Sequence, residues 1–297
     1  MKEDALLELF YDYLTYDKRV SSNTFQAYKS DLTYYYAFLT DNNFSDVNAD
    51  SSAIESFKNH MKSEGKAVSS VSRALSSVRS YYSFLQKNGL INNNPAKSVK
   101  NDKSEEKTFD VLSSDEIDAL INQPSGNDEK SVRDRAILEL MYATGLKVSE
   151  LISLNVTDFN PTLGFIRCCS SNSEKERIIP LYTKIKKLLN QYLSKSRGFL
   201  VSSDSENALF VNINGTRMTR QGLWKILKQY AQKAGIKKDI NPCTLRNSFA
   251  THLLENGADV AQLKDILGHS EISSTNQYVN FLKKKTTGSL ILLHPHA

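Results

Sequence analysis

The C-terminal part of this 297-residue chain contains the stretch CTLRNSFATHLLENG at residues 243–257, which has the pattern of a helix over Thr244–Glu255. Two further helices are predicted after it, over Val260–Leu267 and Ser273–Phe281. Arg246 lies in the first of these helices. His269 lies between the second and the third, nine residues before Tyr278. An arginine on the first predicted helix, a histidine between the second and the third, and a tyrosine on the third are therefore close together in the sequence.

Upstream of this stretch, predicted helices flank a short sheet. A capping box that starts at Ser113 begins one helix, and a longer helix runs over Val132–Thr144 until Gly145 ends it. Phe165–Cys169 and Arg177–Pro180 flank a polar tip and predict a β-hairpin. The other predicted elements are a strand at Leu209–Val211 and helices over Lys184–Lys195 and Arg220–Lys233, the last with Trp224 and Leu227 facing inward.

The first hundred residues have helical periodicity throughout. Apolar side chains recur every three or four residues over Phe25–Leu39 and again over Val71–Leu85. Ser22 is expected to cap the first of these helices, and Gly89 to end the second. Two shorter helices are predicted near Leu6–Leu14 and Ile54–Met61. We interpret most of one aromatic cluster as core rather than as a base-stacking surface: Tyr34, Tyr35, Tyr36 and Phe38.

A polar segment separates these two parts of the chain. Around residues 92–107 the apolar residues give way to Asn, Lys, Ser and Glu, which is the composition of a solvated linker. We predict a helical N-terminal bundle at 1–93, a linker at 94–108 and a C-terminal α+β domain at 109–297. The expected fold class is mainly α with a small antiparallel β-sheet.

The composition is typical of a globular protein and argues against a membrane-spanning or secreted one. The chain is 40% hydrophobic and 24% charged, which is ordinary for a globular protein, and it lacks a run of about 18 apolar residues for a membrane span. Acidic residues near the N-terminus do not fit a signal peptide, so we expect a cytoplasmic protein without a membrane partner. Three cysteines fit neither a disulfide framework nor a zinc site: Cys168, Cys169 and Cys243. The net charge of +5 weakly favours a polyanionic partner.

Four boxes of sequence resemble the tyrosine recombinase family. In that family H-x-x-R is followed by L-G-H and, nine residues after that histidine, by a tyrosine; residues 243–278 are similar to this signature. Residues 143–151, ATGLKVSEL, resemble the A-T-G-L-R-x-S-E-L box, and residues 175–181, KERIIPL, resemble the far strand of the active-site hairpin. Residues 22–28 resemble the start of the core-binding domain, and the ending HPHA is similar to that of Xer-type members. The resemblance covers nearly the whole chain.

The resemblance implies a phosphoryl transfer that needs neither a metal ion nor a cofactor. Tyr278 would attack a DNA phosphodiester and form a 3′-phosphotyrosyl bond, which conserves the energy of the broken linkage. Arg246 would clamp the phosphate with its planar fork. His269 would bind the phosphate or orient the tyrosine, and Glu150 would orient its neighbours.

Three positions depart from the family pattern. Lys147 replaces the first arginine of the family and lacks the fork that holds two phosphate oxygens. Cys243 stands in place of the histidine of H-x-x-R. The hairpin tip lacks the lysine expected as the general acid, although Lys175 lies just beyond it. Since the loss of one such donor typically slows a reaction by about 10²–10³, we expect impaired cleavage.

The expected partner is double-stranded DNA. The candidate contacts to its phosphates are Arg217, Arg220, Lys225 and Lys228. The resemblance also implies a homo- or hetero-tetramer on DNA, with the apolar tail Ser289–Leu293 docking on a neighbour.

Three functions remain open at this point. The first is a recombinase or integrase in which Lys147 substitutes adequately for arginine. The second is a catalytically degenerate DNA-binding relative that assembles on a recombination site or regulates an active partner. A thiol hydrolase that uses Cys243 with His252 or His269 is the third, but the flanking motif of such enzymes is missing. We interpret His252 as structural.

Overall fold

The computed structural model describes residues 3–102, 109–169, 176–203 and 206–292, without the side chains of residues 3, 4 and 284–292. The chain divides into two compact units, residues 1–107 and 108–297. Described residues are mostly helical, with one three-stranded antiparallel sheet, so the predicted fold class is confirmed.

The first unit contains the predicted helices, with bounds that differ by a few residues. They are α1 Glu3–Asp12, which continues into a π-helical turn at Tyr13–Asp17, α2 Ser22–Asp41, α3 Ser51–Ser63 and α4 Val68–Lys87. The expected cap at Ser22 is wrong, because Ser22 is already helical. Ser21 has the extended backbone that a cap needs, and its hydroxyl accepts from the Thr24 N–H at 3.2 Å.

Aromatic side chains fill the core of this unit, as predicted. Tyr35 is fully buried, and its hydroxyl lies 2.8 Å from that of Tyr82. The buried Asp46 carboxylate accepts hydrogen bonds from Tyr36 at 2.5 Å and from Tyr81 at 2.6 Å. These bonds satisfy polar groups that burial would otherwise destabilise.

The segment predicted as a linker begins as part of the first unit. Ala96 and Val99 are buried against the core of that unit, and the Arg79 guanidinium donates to both of their carbonyl oxygens, at 3.3 and 3.0 Å. Asp102 pairs with Lys62 at 2.6 Å. Residues 103–108 lie outside the described residues, and the predicted bounds of the linker stay a prediction.

The second unit combines helices with the sheet. Its helices are α5 Ser114–Ile121, α6 Glu129–Thr144, α7 Val148–Ser153, α8 Thr183–Tyr192, a short α9 Gly198–Leu200, α10 Arg220–Lys233, α11 Pro242–Glu255, α12 Val260–Leu267 and α13 Ser273–Leu292. Its strands are β1 Phe159–Asn160, β2 Phe165–Cys169 and β3 Glu176–Pro180, in the order β1-β2-β3. The hairpin is confirmed, with Phe165 opposite Pro180 and Cys169 opposite Glu176. The capping box at Ser113 is confirmed as well.

Two expectations for this unit are wrong. Residues 209–211 form no strand, because the bridges in this region, Asn155 with Ala208 and Val211 with Arg217, are isolated and lead to two different segments. Trp224 does not face inward: it is 41% exposed, whereas Leu227 on the same helix is fully buried. The helical period is correct, but Trp224 lies at the edge of the apolar stripe.

Two hydrophobic clusters hold the second unit together. The main core extends from Leu112 to Leu245 and includes buried residues of α5, α6, the sheet, α8, α10 and α11. A separate small cluster has four buried members: Ala250, Leu263, Leu267 and Tyr278. The predicted helices around Arg246 and Tyr278 therefore share an apolar cluster of their own, while α11 also contributes Leu245 to the main core. Of the helices that the structure describes, none is long and apolar enough to cross a membrane.

Gly145 fixes how α6 meets α11. It ends α6 with φ +58°, and its N–H donates to the Met141 carbonyl oxygen at 3.0 Å. A Cβ atom at this position would lie 2.5 Å from the Phe249 ring on α11. Only glycine therefore permits both the left-handed backbone and the close approach of the two helices.

We expect Gly145→Ala to lower the free energy of unfolding of the second unit by about 2–4 kcal/mol, because backbone strain adds to overpacking. Gly257→Ala is the matched control, since Gly257 has φ +89° and no atom within 4 Å of an added Cβ. In the control, backbone strain alone should lower the free energy of unfolding, by about 1 kcal/mol. Urea unfolding of both variants checks this, and equal losses would contradict the packing argument.

Candidate active site

Arg246 is buried where the ends of two helices meet, with 7% of the residue exposed. One guanidinium nitrogen donates to the carbonyl oxygen of Gly145 at the end of α6, and the other donates to that of Leu267 at the end of α12, at 2.8 Å. The second nitrogen also donates to Nε2 of His269 at 3.0 Å. Because a guanidinium carries five N–H donors, these bonds fix its orientation and leave donors for a phosphate.

The contacts of His269 determine its tautomer. A guanidinium can only donate, so Nε2 must accept from Arg246 and the ring proton is on Nδ1. Nδ1 then donates to the Thr275 hydroxyl at 2.8 Å. Burial and the nearby charge of Arg246 lower the pKa of His269 from 6.5 to about 4. His269 is therefore neutral at physiological pH and orients Arg246.

Tyr278 lies on α13 beside Arg246, with 2% of the residue exposed. Its hydroxyl donates to Oδ1 of Asn247 at 3.2 Å. Burial raises the pKa of the Tyr278 hydroxyl, and the positive charge of Arg246 opposes that shift. The Cys243 thiol is close enough to contribute to raising it. A phosphate bound at Arg246 would thus have a tyrosine hydroxyl next to it.

Glu150 and Arg177 form a buried support for this cluster. Arg177 on β3 holds both Glu150 oxygens, at 2.8 and 2.9 Å, and its Nε donates to the Ile266 carbonyl oxygen at 3.0 Å. Glu150 also accepts from the backbone N–H of Lys147 at 2.7 Å. Burial alone would raise the pKa of Glu150, but these bonds outweigh it and the pKa is lowered. The contacts agree with the expectation that Glu150 orients its neighbours.

The role of Arg177 was missed in the sequence. The residue lies within the KERIIPL box, but the sequence contains no sign that it pairs with Glu150, 27 positions earlier. The pairing is created by the sheet, which brings β3 against the start of α7.

Two of the positions that are expected to depart from the family pattern lie next to the cluster. Lys147 is exposed, and its positive charge contributes to the low pKa of His269. Cys243 is exposed in the first turn of α11, where its N–H donates to the Asn241 side chain at 2.8 Å. The predicted Lys175 lies outside the described residues. The catalytic roles of all these residues stay predictions.

The four candidate DNA contacts have different surroundings. Arg217 donates to the carbonyl oxygens of Ile152 and Leu154, at 2.9 and 3.1 Å, and to Asn155 at 2.6 Å, so its guanidinium has an intramolecular role. The other three are exposed on α10: Arg220, Lys225 and Lys228. All four DNA contacts stay predictions.

The exposed face of α10 borders a cleft. A cleft of about 290 Å³ is lined by Val148, Arg220, Gln221, Trp224 and Pro242. Val148 and Pro242 are the sequence neighbours of Lys147 and Cys243. The Lys228 ammonium lies 4.3 Å from the centre of the Trp224 ring. This surface is therefore both basic and aromatic, and the aromatic part was not expected from the sequence.

The interpretation of His252 as structural agrees with its contacts. Its Nδ1 lies 2.9 Å from the Tyr142 hydroxyl. Among the described residues, no group of three or more His, Cys, Asp or Glu side chains could hold a metal ion.

A cluster that can hold a phosphate and supply a tyrosine hydroxyl, on a mainly helical unit with this hairpin, defines the tyrosine recombinase class. The chain belongs to the phage integrase family: residues 110–285 match that family, and residues 7–89 match the SAM-like N-terminal domain of phage integrases. It is 42% identical over 294 residues to the tyrosine recombinase XerD of Oceanobacillus iheyensis, an alignment that covers 98% of each chain.

Solved structures of more distant proteins share the fold. The XerH site-specific recombinase bound to palindromic difH substrate aligns with a TM-score of 0.77 at 21% identity, over 90% of this chain and 78% of that one. A lambda integrase tetramer bound to a Holliday junction aligns with a TM-score of 0.72 at 17% identity, over 93% and 76%. At these identities the similarity establishes the common architecture.

The low pKa of His269 predicts a pH dependence of stability. Between the unfolded value of 6.5 and the folded value of about 4, the unfolded chain binds more protons, so stability falls as pH decreases through this interval. We expect His269→Asn to flatten the decline in melting temperature between about pH 7 and about pH 5, because the variant has no proton to bind there. Parallel curves for the two proteins would contradict the assigned pKa shift.

Proposed function

We propose that this protein recombines double-stranded DNA at specific sites with Tyr278 as the nucleophile, and that its strand cleavage is weak. The observation that carries the proposal is the Arg246, His269 and Tyr278 cluster, in a chain that aligns end to end with a tyrosine recombinase. DNA as the substrate also supports the expected cytoplasmic location.

In the proposed reaction, the Tyr278 oxygen forms a bond to phosphorus as the bond from phosphorus to the 5′ oxygen breaks. The Tyr278 proton passes to water, and the leaving 5′ oxygen takes a proton from Lys175, the proposed donor, which solvent then reprotonates. Arg246 stabilises the charge on the non-bridging oxygens. A 5′ hydroxyl from the same or a partner duplex then attacks the phosphorus, the bond to the Tyr278 oxygen breaks, and the DNA strand is rejoined. No external energy source is consumed, because the phosphotyrosyl bond conserves the energy of the broken linkage.

The weakness of cleavage follows from the altered residues. An ammonium at Lys147 supplies charge but cannot bind two phosphate oxygens in one plane, as a guanidinium does. A thiol at Cys243 is a weak hydrogen-bond donor compared with an imidazole. Both positions adjoin a cluster in which Arg246 and His269 are already well oriented. The changes should therefore lower the rate of strand cleavage more than the affinity for DNA.

A suicide substrate, nicked beside the scissile phosphate, tests this. We expect little Tyr278-linked covalent complex from the natural chain. The variant with Lys147→Arg, Cys243→His and Asn172→Lys, which supplies a lysine at the hairpin tip, should increase the yield by about 100-fold, since each restored donor is worth about 10²–10³ in rate. Adding Tyr278→Phe to that variant should abolish the complex.

The Oceanobacillus iheyensis relative provides the reference for that assay. A yield from the natural chain equal to that of the relative would overturn the impaired-cleavage part of the proposal. If the natural chain binds its site and no variant cleaves, the alternative of a non-catalytic DNA-binding relative replaces it.

DNA binding and assembly are supported by the DNA-bound complexes named for the structural neighbours. We propose that the exposed face of α10 contacts DNA phosphates through Arg220, Lys225 and Lys228. We also propose a tetramer on DNA, in which the tail Ser289–Leu293 docks on a neighbouring protomer. Side chains of that tail lie outside the described residues.

Salt dependence distinguishes phosphate contacts from other effects. Arg220→Ala and Lys225→Ala should each reduce the slope of log affinity against log salt concentration by about one, because each contact releases counterions from DNA. Lys187→Ala is the matched control, as Lys187 is exposed on α8. Trp224 is the single tryptophan of the chain, so its fluorescence reports binding at this face directly. An unchanged slope in both α10 variants would contradict the assignment.

A further inference from the structure

The nucleophile helix has a contact partner from a distant part of the chain. The Phe109 ring packs edge to face on the Tyr278 ring, with centroids 5.3 Å apart and an interplanar angle of 75°. It also stacks on Phe281, one turn further along α13, at 4.8 Å and 27°. One aromatic side chain thus contacts two successive turns of the helix that carries the nucleophile.

Phe109 is itself held in place by the residues that follow it. We call Phe109–Leu112 the lead-in segment, because it precedes α5. The buried N–H of Leu112 donates to the Ser248 hydroxyl on α11 at 2.9 Å. The Lys238 ammonium donates to the Val111 carbonyl oxygen at 3.0 Å. These bonds connect the segment to the body of the second unit.

Among the described residues, the cluster around Tyr278 has four buried members, so the contact with Phe109 matters more for its packing than it would in a large core. Its buried members lie on α11, α12 and α13, apart from the main core. Of its described members, including the partly buried ones, Phe109 is the one from outside these three helices. Phe109 therefore adds a contact to α13 from outside the three helices of the cluster.

We propose that Phe109 is a positioning residue for Tyr278: the lead-in segment holds its ring against α13 and thereby fixes where the tyrosine hydroxyl lies relative to Arg246. This inference rests on the proposed function for its catalytic meaning. Misplacement of a reacting group by 1 Å can cost about 100-fold in rate, so a contact that fixes the ring matters although it never touches DNA.

The structural part of the proposal is tested without DNA. Phe109→Ala should increase hydrogen exchange over residues 273–283 by about tenfold, while exchange over α6 stays unchanged. Hydroxyl-radical labelling of Tyr278 should increase by about threefold, because the ring loses its cover. Phe199→Ala is the matched control, as Phe199 is an 80% exposed phenylalanine of the same unit.

Two other variants separate ring geometry from apolar volume. Phe109→Tyr retains the aromatic ring and should restore protection of residues 273–283, whereas Phe109→Leu retains apolar volume without a ring and should restore it only in part. If Phe109→Ala increases hydrogen exchange over α6 as much as over residues 273–283, the whole unit is destabilised and the proposal is overturned. Unchanged exchange over residues 273–283 would overturn it as well. If Phe109→Ala does not fold, Phe109→Leu provides the comparison with Phe109→Tyr.

The catalytic part is tested in the variant with Lys147→Arg, Cys243→His and Asn172→Lys. Adding Phe109→Ala should lower covalent complex formation by about tenfold and leave DNA affinity unchanged, because alignment and not binding is lost. An equal fall in affinity would contradict a positioning role. Failure of every variant to cleave would count against the proposed function, while the exchange experiment would still decide the contact between Phe109 and the helix.

Discussion

The hydrogen bonds of the buried Arg246 guanidinium are the interaction on which the geometry of the candidate site depends. The last carbonyl groups of a helix have no partner within the helix, and two such ends, at Gly145 and Leu267, accept hydrogen bonds from Arg246. The same group donates to His269, which is bonded in turn to Thr275 at the start of α13. One cation therefore joins the ends of α6 and α12 to α13, the helix that carries Tyr278, and contacts within the protein fix its orientation.

A second buried pair supports the first. Glu150 and Arg177 satisfy each other with two hydrogen bonds, and Arg177 also binds the Ile266 carbonyl oxygen near the end of α12. Breaking such a pair leaves a buried charge without compensation, typically at a cost of about 3–5 kcal/mol. The sheet is thereby tied to the helix end that Arg246 also holds. This explains how a three-stranded sheet helps to place catalytic groups that lie on helices.

Two positions that are expected to differ from the family pattern lie on the periphery of this framework. Lys147 and Cys243 are exposed, whereas Arg246 and Glu150 are buried and use their polar atoms within the protein. A change at an exposed position alters the charge and the donors offered to a phosphate without removing a bond that holds helices together. The side chains at these two positions are therefore separate from the groups whose hydrogen bonds hold the helices together.

The sequence by itself determined the fold class, the bounds of most helices within a few residues, the hairpin, and the spacing of Arg246, His269 and Tyr278. Each of these depends on local periodicity, capping or spacing along the chain. It did not determine that Trp224 faces solvent, that Arg217 binds backbone carbonyls, that Arg177 holds Glu150 or that Phe109 packs on Tyr278. Those facts depend on which side chains meet when distant elements pack, and on which buried polar groups then need a hydrogen-bond partner. Only the tertiary structure could decide them.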